Sequence, residues 1–361
     1  MYKVYEVDPD ADTLLIVPAS TKDLARAEGK DAQAATATPL ELRIKVSSKH
    51  LSLASKDFKN QLKWKWEASD APQPDGRIHV VLEGFDPAAV TIVMNIIHGR
   101  GSKVPKSVDA ETLANIAVFV DEYKLFDPVE IYADRWARQL PDSVFAEDEI
   151  NVARWIYISY VFRRPATFKL VTRTAILKST GPITSVGLPI REKIIKSIDE
   201  MRQKLVTEGL SVIDGVLEDL VDGKAPCASG CDALLLGTLL KTLRRDKLAW
   251  PSPTKPFSGI SFGTVQTAVS DFQTQVSKLE SAPWQTQSTV REQTRKRKTP
   301  NTHPAQGPTP DSSPELATLS LSFSADVHNC KEKIAMQSKL ETIGSRVQGL
   351  ELESSRGHYL Y

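Results

Sequence analysis

Four residues carry the chemistry of a metal clip. Cys227 and Cys231 stand in CASGC, and His328 and Cys330 stand in HNC, and these are all three cysteines of the 361-residue chain. Three thiolates and an imidazole form the Cys3His donor set that closes a tetrahedral structural zinc site. If CASGC opens a helix, the four-residue spacing brings both of its sulfurs to one face. The expectation is one structural zinc ion that ties the C-terminal segment back to the helical region. The competing reading is three buried apolar cysteines and one solvated histidine. The Cys-x3-Cys spacing is looser than the usual Cys-x2-Cys pair, and His-x-Cys puts two ligands on a strand-like stretch.

No catalytic constellation accompanies this set. The sequence contains no GxSxG elbow, Walker A loop or HExxH helix. His50, His79 and His98 have no serine or cysteine nucleophile at a recognisable turn. Gly99-Arg100-Gly101-Ser102-Lys103 is a basic, glycine-containing turn without the spacing that cradles phosphate. The adjacent carboxylates Asp121-Glu122 and Glu147-Asp148 read as solvated pairs. An active site needs convergent polar groups, so the sequence points away from an enzyme.

Two further stretches suggest binding. Trp64 and Trp66 flank Lys65 in LKWKWE, the residue types of a base-stacking platform. Two residues apart near a helix end, they suit the edge of a core or a partner surface better, and direct nucleic-acid binding is not expected. Arg295-Lys296-Arg297-Lys298 is a basic run of the kind a nuclear import receptor reads.

Composition bounds these readings. Lys plus Arg total 46 against 45 Asp plus Glu, so no net field steers the chain toward nucleic acid or membrane. The N-terminal MYKVYEVDPDADTLLIV lacks the basic n-region and long apolar core of a signal peptide. No stretch reaches the ~18 apolar residues of a membrane span. An odd cysteine count argues against a disulfide framework and for a reducing compartment. The expected location is intracellular, cytoplasmic or nuclear.

The elements that must position these residues follow from periodicity. TLLIV at 13–17 reads as a buried strand. Leu40, Leu42, Ile44 and Val46 alternate with Glu41, Arg43 and Lys45 as a half-buried strand, and Ile78, Val80 and Leu82 mark another. Between them KHLSLASKDFKNQL predicts one helix, capped by Ser47 or Ser48, with Leu51, Leu53 and Phe58 as anchors. Its small residues Ser52, Ala54 and Ser55 suit close approach by another backbone. Asp86-Pro87 opens an apolar helix. Asp109 caps a helix with Leu113, Ile116, Ala117 and Val120 on one stripe. Asp127-Pro128 should open a third, through Val129, Tyr132, Ala133, Trp136 and Leu140.

From 141 to about 250 the pattern is helical. One stripe runs through Ile194, Ile198, Met201 and Leu205, and another through Leu210, Ile213, Leu217 and Leu220. PSPTKPFSGISFG at 251–263 is an irregular connection. Residues 286–318 have the composition of a disordered linker. Met336, Leu340, Ile343, Val347 and Leu350 then step at helical spacing. The expectation is an α+β domain over residues 1–140 with an insertion at about 18–39. A helical domain at 141–285, the linker, and a helical tail at 319–361 packing back on the helical domain complete the chain.

The alternating strand, KHLSLASKDFKNQL, the following strand, the apolar helix and NIIHGRGSKVP together resemble a BTB/POZ domain. VSSKHL, ASKDFK and LANIAVFVDEYK are similar to the filamentous-fungal proteins of that family, as are CDALLLGTL and PFSGISF more loosely. The resemblance covers residues 12–140. Ser47 stands where many BTB domains carry a histidine, and Asp57 where they carry an aromatic. The resemblance implies a mixed sheet flanked by helices, followed by a mostly α-helical C-terminal region. It also implies a protein–protein interaction adaptor that forms homodimers and recruits partners to cullin-type ubiquitin ligases. The cullin-facing surface maps onto residues 77–105, where Val81-Leu82-Glu83 supplies a hydrophobic–any–acidic triplet. The alternative is a nuclear transcription or chromatin regulator acting through BTB-mediated association.

Overall fold

The computed structural model describes residues 2–18, 41–68, 73–140, 148–224, 229–249, 252–280 and 334–352. The expected disordered linker, the basic run at 295–298 and the proposed insertion up to residue 39 lie outside the described residues. Among those described, four strands and eleven helices form a mixed α+β architecture. The strands are β1 (Tyr2–Glu6), β2 (Thr13–Pro18), β3 (Glu41–Val46) and β4 (Ile78–Val81), in sheet order β1-β3-β2-β4. β1 runs parallel to β3, β3 antiparallel to β2, and β2 parallel to β4.

The sheet has one dry face. Leu15, Val17, Ile44, Val46 and Val80 are completely buried on it, because alternate side chains of a strand point to one side. Each such side chain contributes roughly 1.5–3 kcal/mol when removed from water. The cover comes from α1 (Ser48–Ala54), α2 (Lys56–Ala68), α3 (Pro87–Ile97) and α4 (Ala110–Tyr123). α5 (Phe126–Gln139) buries Val129, Ala133 and Trp136, and the Trp136 indole donates to the Pro105 carbonyl at 2.9 Å. Asp86 and Asp109 cap α3 and α4 as expected, accepting from the backbone N–H of Ala89 and Thr112 at 2.7 Å each.

Two helix starts differ from expectation. Ser47 occupies the cap position of α1, but its side chain makes no capping bond. Asp12, just ahead of β2, does the capping instead: its carboxylate accepts from the Ser48 N–H at 2.7 Å and the Ser48 hydroxyl at 2.5 Å. α5 begins at Phe126, so Asp127 and Pro128 lie inside its first turn. The reason is Lys124, whose left-handed backbone (φ 54°, ψ 44°) ends α4 so abruptly that fully buried Leu125 already leads into the next helix.

The single helix expected from residue 48 is broken at Ser55, which is extended (φ −144°, ψ 128°). Ser55 is buried, donates to the Tyr123 carbonyl at 2.6 Å and accepts from the Phe58 N–H at 3.1 Å. At this position the small side chain serves internal packing. Leu51 and Phe58 are buried anchors, but Leu53 is 90% exposed. Two helical positions are about 200° apart, so Leu51 and Leu53 cannot both face the core.

Two compact units divide the chain. The first comprises Met1–Gly209, Thr254–Val265 and Thr342–Tyr361. Beyond the sheet and its helices it contains α6 (Glu149–Val161), α7 (Pro165–Lys178) and the first part of α8 (Glu192–Val221). Asp148, exposed as expected, also caps α6 by accepting from the Asn151 N–H at 2.6 Å. The two stripes read at 194–205 and 210–220 lie on the single helix α8. Arg202 of α8 is wholly buried. It pairs with Asp199 at 2.8 Å and donates to the carbonyls of Pro256 (2.6 Å), Ile260 (3.1 Å) and Phe257 (3.3 Å).

The second unit comprises Leu210–Pro253 and Gln266–Glu341. It holds α9 (Ser229–Arg245), most of α10 (Phe262–Glu280) and the start of α11 (Met336–Arg346). Leu235, Leu239 and Leu243 of α9 and Val269, Phe272 and Val276 of α10 are buried at helical spacing. Arg245 pairs with Asp271 at 2.6 Å. The terminal apolar spacing was expected to remain helical through Leu350, but α11 ends at Arg346.

Arg202→Met removes a buried donor from the carbonyls of Pro256, Phe257 and Ile260 and breaks the ion pair with Asp199. It should lower the unfolding free energy by about 3 kcal/mol in urea titration. Asp109→Ala should cost about 1 kcal/mol through loss of its cap, whereas Asp127→Ala, which caps nothing, should cost under about 0.5 kcal/mol in the same assay.

Candidate interaction surface

The outer face of the sheet is the most distinctive surface of the first unit. The strand register sets Val4, Arg43, Ile16 and Val81 in one row across all four strands. Val4 and Val81 are each 47% exposed and Ile16 is half-buried, so three apolar side chains line this row with one guanidinium among them. Beside it, Arg43 lies 4.0 Å from the centre of the Tyr2 ring and pairs with Glu41 at 2.5 Å. Lys45 pairs with Glu6 at 3.1 Å. Charged groups that satisfy one another leave the valines and Tyr2 as the apolar part of the face.

Among the described residues β1 and β4 are the two edges of the sheet. Only β3 among them bonds to β1, so its other side offers backbone N–H and C=O groups to a further strand. The sequence reading missed this strand. Its signal was the β-forming Tyr2, Val4 and Tyr5 in YKVYE, obscured by the acidic residues that follow. The strand is firmly seated. Arg100 donates to the carbonyls of Glu6 at 2.6 Å and Val7 at 2.8 Å, and Asn95, buried on α3, donates to the Tyr5 hydroxyl at 3.2 Å. The basic turn at 99–103 is therefore a structural tie for β1: a left-handed Gly99 (φ 68°) releases the chain from α3 and aims Arg100 at the strand.

Other sites of interest fall around this sheet. Val81 and Glu83 are exposed while Leu82 between them is buried, so the hydrophobic–any–acidic triplet presents its first and third residues outward. Trp64 on α2 is 66% exposed, which places it on the surface and not in the core edge; the Trp66 side chain lies outside the described residues. His79 contacts both Asp75 carboxylate oxygens at 3.0 Å. His98 accepts from the Ser47 N–H through Nε2 at 3.0 Å, and therefore donates through Nδ1 to the Met94 carbonyl at 2.9 Å. It stacks on His50 with ring centres 4.8 Å apart.

Of the proposed zinc ligands, Cys227, His328 and Cys330 lie outside the described residues. Cys231 is half-buried in the first turn of α9. Among the described residues no group of three His, Cys, Asp or Glu is placed to hold a metal ion. Nor is any helix among them long and apolar enough to cross a membrane. No protein-family model matches the chain, and no curated protein matches it.

Burial holds the His98 pKa below its usual 6.5, a shift opposed by its bond to the Met94 carbonyl and reinforced by His50. The unfolded chain therefore binds this proton more readily than the folded one. The contribution of His98 to stability is complete above pH 6.5 and is lost as pH falls through the depressed folded value. The urea midpoint of the wild-type chain should fall between pH 7.5 and 5.5, and His98→Gln should flatten that dependence.

Proposed function

We propose that this chain is a protein-interaction adaptor of the BTB/POZ type, acting by self-association and by recruitment of partners to a cullin-type ubiquitin ligase. One observation carries the reading. Among the described residues a one-sided sheet ends in a firmly anchored strand whose outer side bonds to no other strand, and Val4, Ile16 and Val81 carry apolar surface across its outer face. An available edge of this kind pairs with a strand of another chain through main-chain hydrogen bonds, while flanking side chains supply selectivity. The residues that carry the BTB resemblance form the helices that cover the sheet's inner face, which supports the same assignment. Val81 and Glu83, both exposed, belong to the segment that the resemblance assigns to cullin contact.

Self-association predicts twice the chain mass in light scattering at about 10 micromolar, the range in which a specific homodimer populates. Val4→Lys should return the chain to a monomer with unchanged circular dichroism. A wild-type monomer at that concentration removes the self-association. Recruitment predicts that an immobilised cullin amino-terminal domain retains the wild-type chain and loses it on Glu83→Lys. No retention of the wild type removes the ligase role and leaves the self-association standing.

A further inference from the structure

The segment that follows α11 leaves the helix and lies along α7 within the first unit. Side chains of α7 read its main chain. Arg173 donates through Nε to the Val347 carbonyl at 3.0 Å and, through Nη2, to the carbonyl of Gly344 in the last turn of α11 at 3.3 Å. The Leu350 N–H donates to the Thr172 hydroxyl, fully buried on α7, at 2.8 Å. Lys169 pairs with the Glu351 carboxylate at 2.5 Å. Between these contacts Gly349 lies so close to α7 that a Cβ would fall 1.7 Å from the Lys169 carbonyl oxygen, well inside any allowed contact.

This is how a helix surface recognises an extended peptide. Main-chain bonds set the register, a glycine is demanded at one position, and an acidic side chain is selected two residues later. The resident segment fills the site incompletely. Leu350, Glu351 and Leu352 line an open cavity of about 210 Å³ whose other walls are Tyr160, Phe168, Ile194, Ser197 and the cationic Arg191 and Lys193. Arg191 sits over the Tyr160 ring at 4.8 Å, so that wall offers both an aromatic and a positive charge.

We propose that the α7 face is a docking site for an extended partner peptide of the pattern glycine–apolar–acidic–apolar, and that residues 347–352 occupy it in cis until such a peptide displaces them. The unfilled cavity favours a partner whose apolar residues are larger than leucine. This site is separate from the sheet edge, so it is independent of the self-association proposed above.

A tethered occupant competes at a high effective concentration, so releasing it must raise the apparent affinity for the same segment added in trans. The probe is a fluorescein-labelled peptide of residues 345–354, titrated against the full chain by anisotropy. Gly349→Ala in the protein should speed exchange of the Leu350 amide and tighten peptide binding about tenfold relative to wild type. Thr172→Val and Arg173→Met added to that variant should abolish the gain, and the peptide carrying Gly349→Ala should not bind. Should Gly349→Ala unfold the chain, Glu351→Lys releases the segment through an exposed contact and should give a smaller gain that Thr172→Val again removes. Two outcomes overturn the proposal: a Leu350 amide unprotected in the wild type, or a released segment with no gain in peptide binding.

Discussion

A four-stranded sheet with a single dry face constrains everything else in the first unit. Leu15, Val17, Ile44, Val46 and Val80 leave water only if helices close over them, and no second sheet is present among the described residues to do so. That requirement draws the α1–α2 pair, α3 and α4 onto one side. It explains why α3 is apolar over most of its surface and why Asn95, its buried polar residue, has its carboxamide bonded to Tyr5 and to the Thr91 carbonyl. The outer face is the complement of the same alternation. Once Ile44 and Val46 face inward, Arg43 and Lys45 must face outward, with Val4, Ile16 and Val81 carried beside them by register.

Segments that the sheet and helices cannot hold by apolar contact are held by arginine. Arg100 binds the carbonyls at the end of β1, Arg202 those of the irregular stretch at 256–260, and Arg173 those at 344 and 347. The chemistry is the same each time. A guanidinium presents several donors in a rigid fork, and an irregular backbone presents carbonyls that no helix or strand has satisfied. The settings differ in consequence. Arg202 is wholly buried with Asp199 beside it, so its loop belongs to the permanent core. Arg173 is only part-buried and grips a segment with a cavity beneath it, an arrangement suited to exchange.

The elements were largely legible in the sequence because their signals are local. A short apolar run marked β2, and alternation found β3 and β4. Asp86 and Asp109 marked helix starts that the structure reproduces as side-chain caps, since a cap and its N–H partner lie within three residues. Locality also explains the errors. Ser47 looked like a cap because nothing nearby announces Asp12, which reaches the α1 terminus from 36 residues earlier. One continuous helix was expected through Ser55 because nothing nearby announces its bond to the Tyr123 carbonyl, 68 residues away. Asp127 looked like a cap because fully buried Leu125 sets the turn.

The sequence by itself determined an α+β chain, the inward residues of β3 and β4, the apolar stripes of α4, α5 and α8, and the want of any catalytic motif. Only the tertiary structure decided which faces stay open. Strand order made β1 an edge, register lined Val4 up with Ile16 and Val81, and folding brought the segment after α11 against Thr172 and Arg173, more than 170 residues earlier. Propensity and periodicity act over a few residues. An exposed surface is what remains after distant elements have chosen their partners, and that choice is made by burial and by the need to satisfy every buried donor and acceptor.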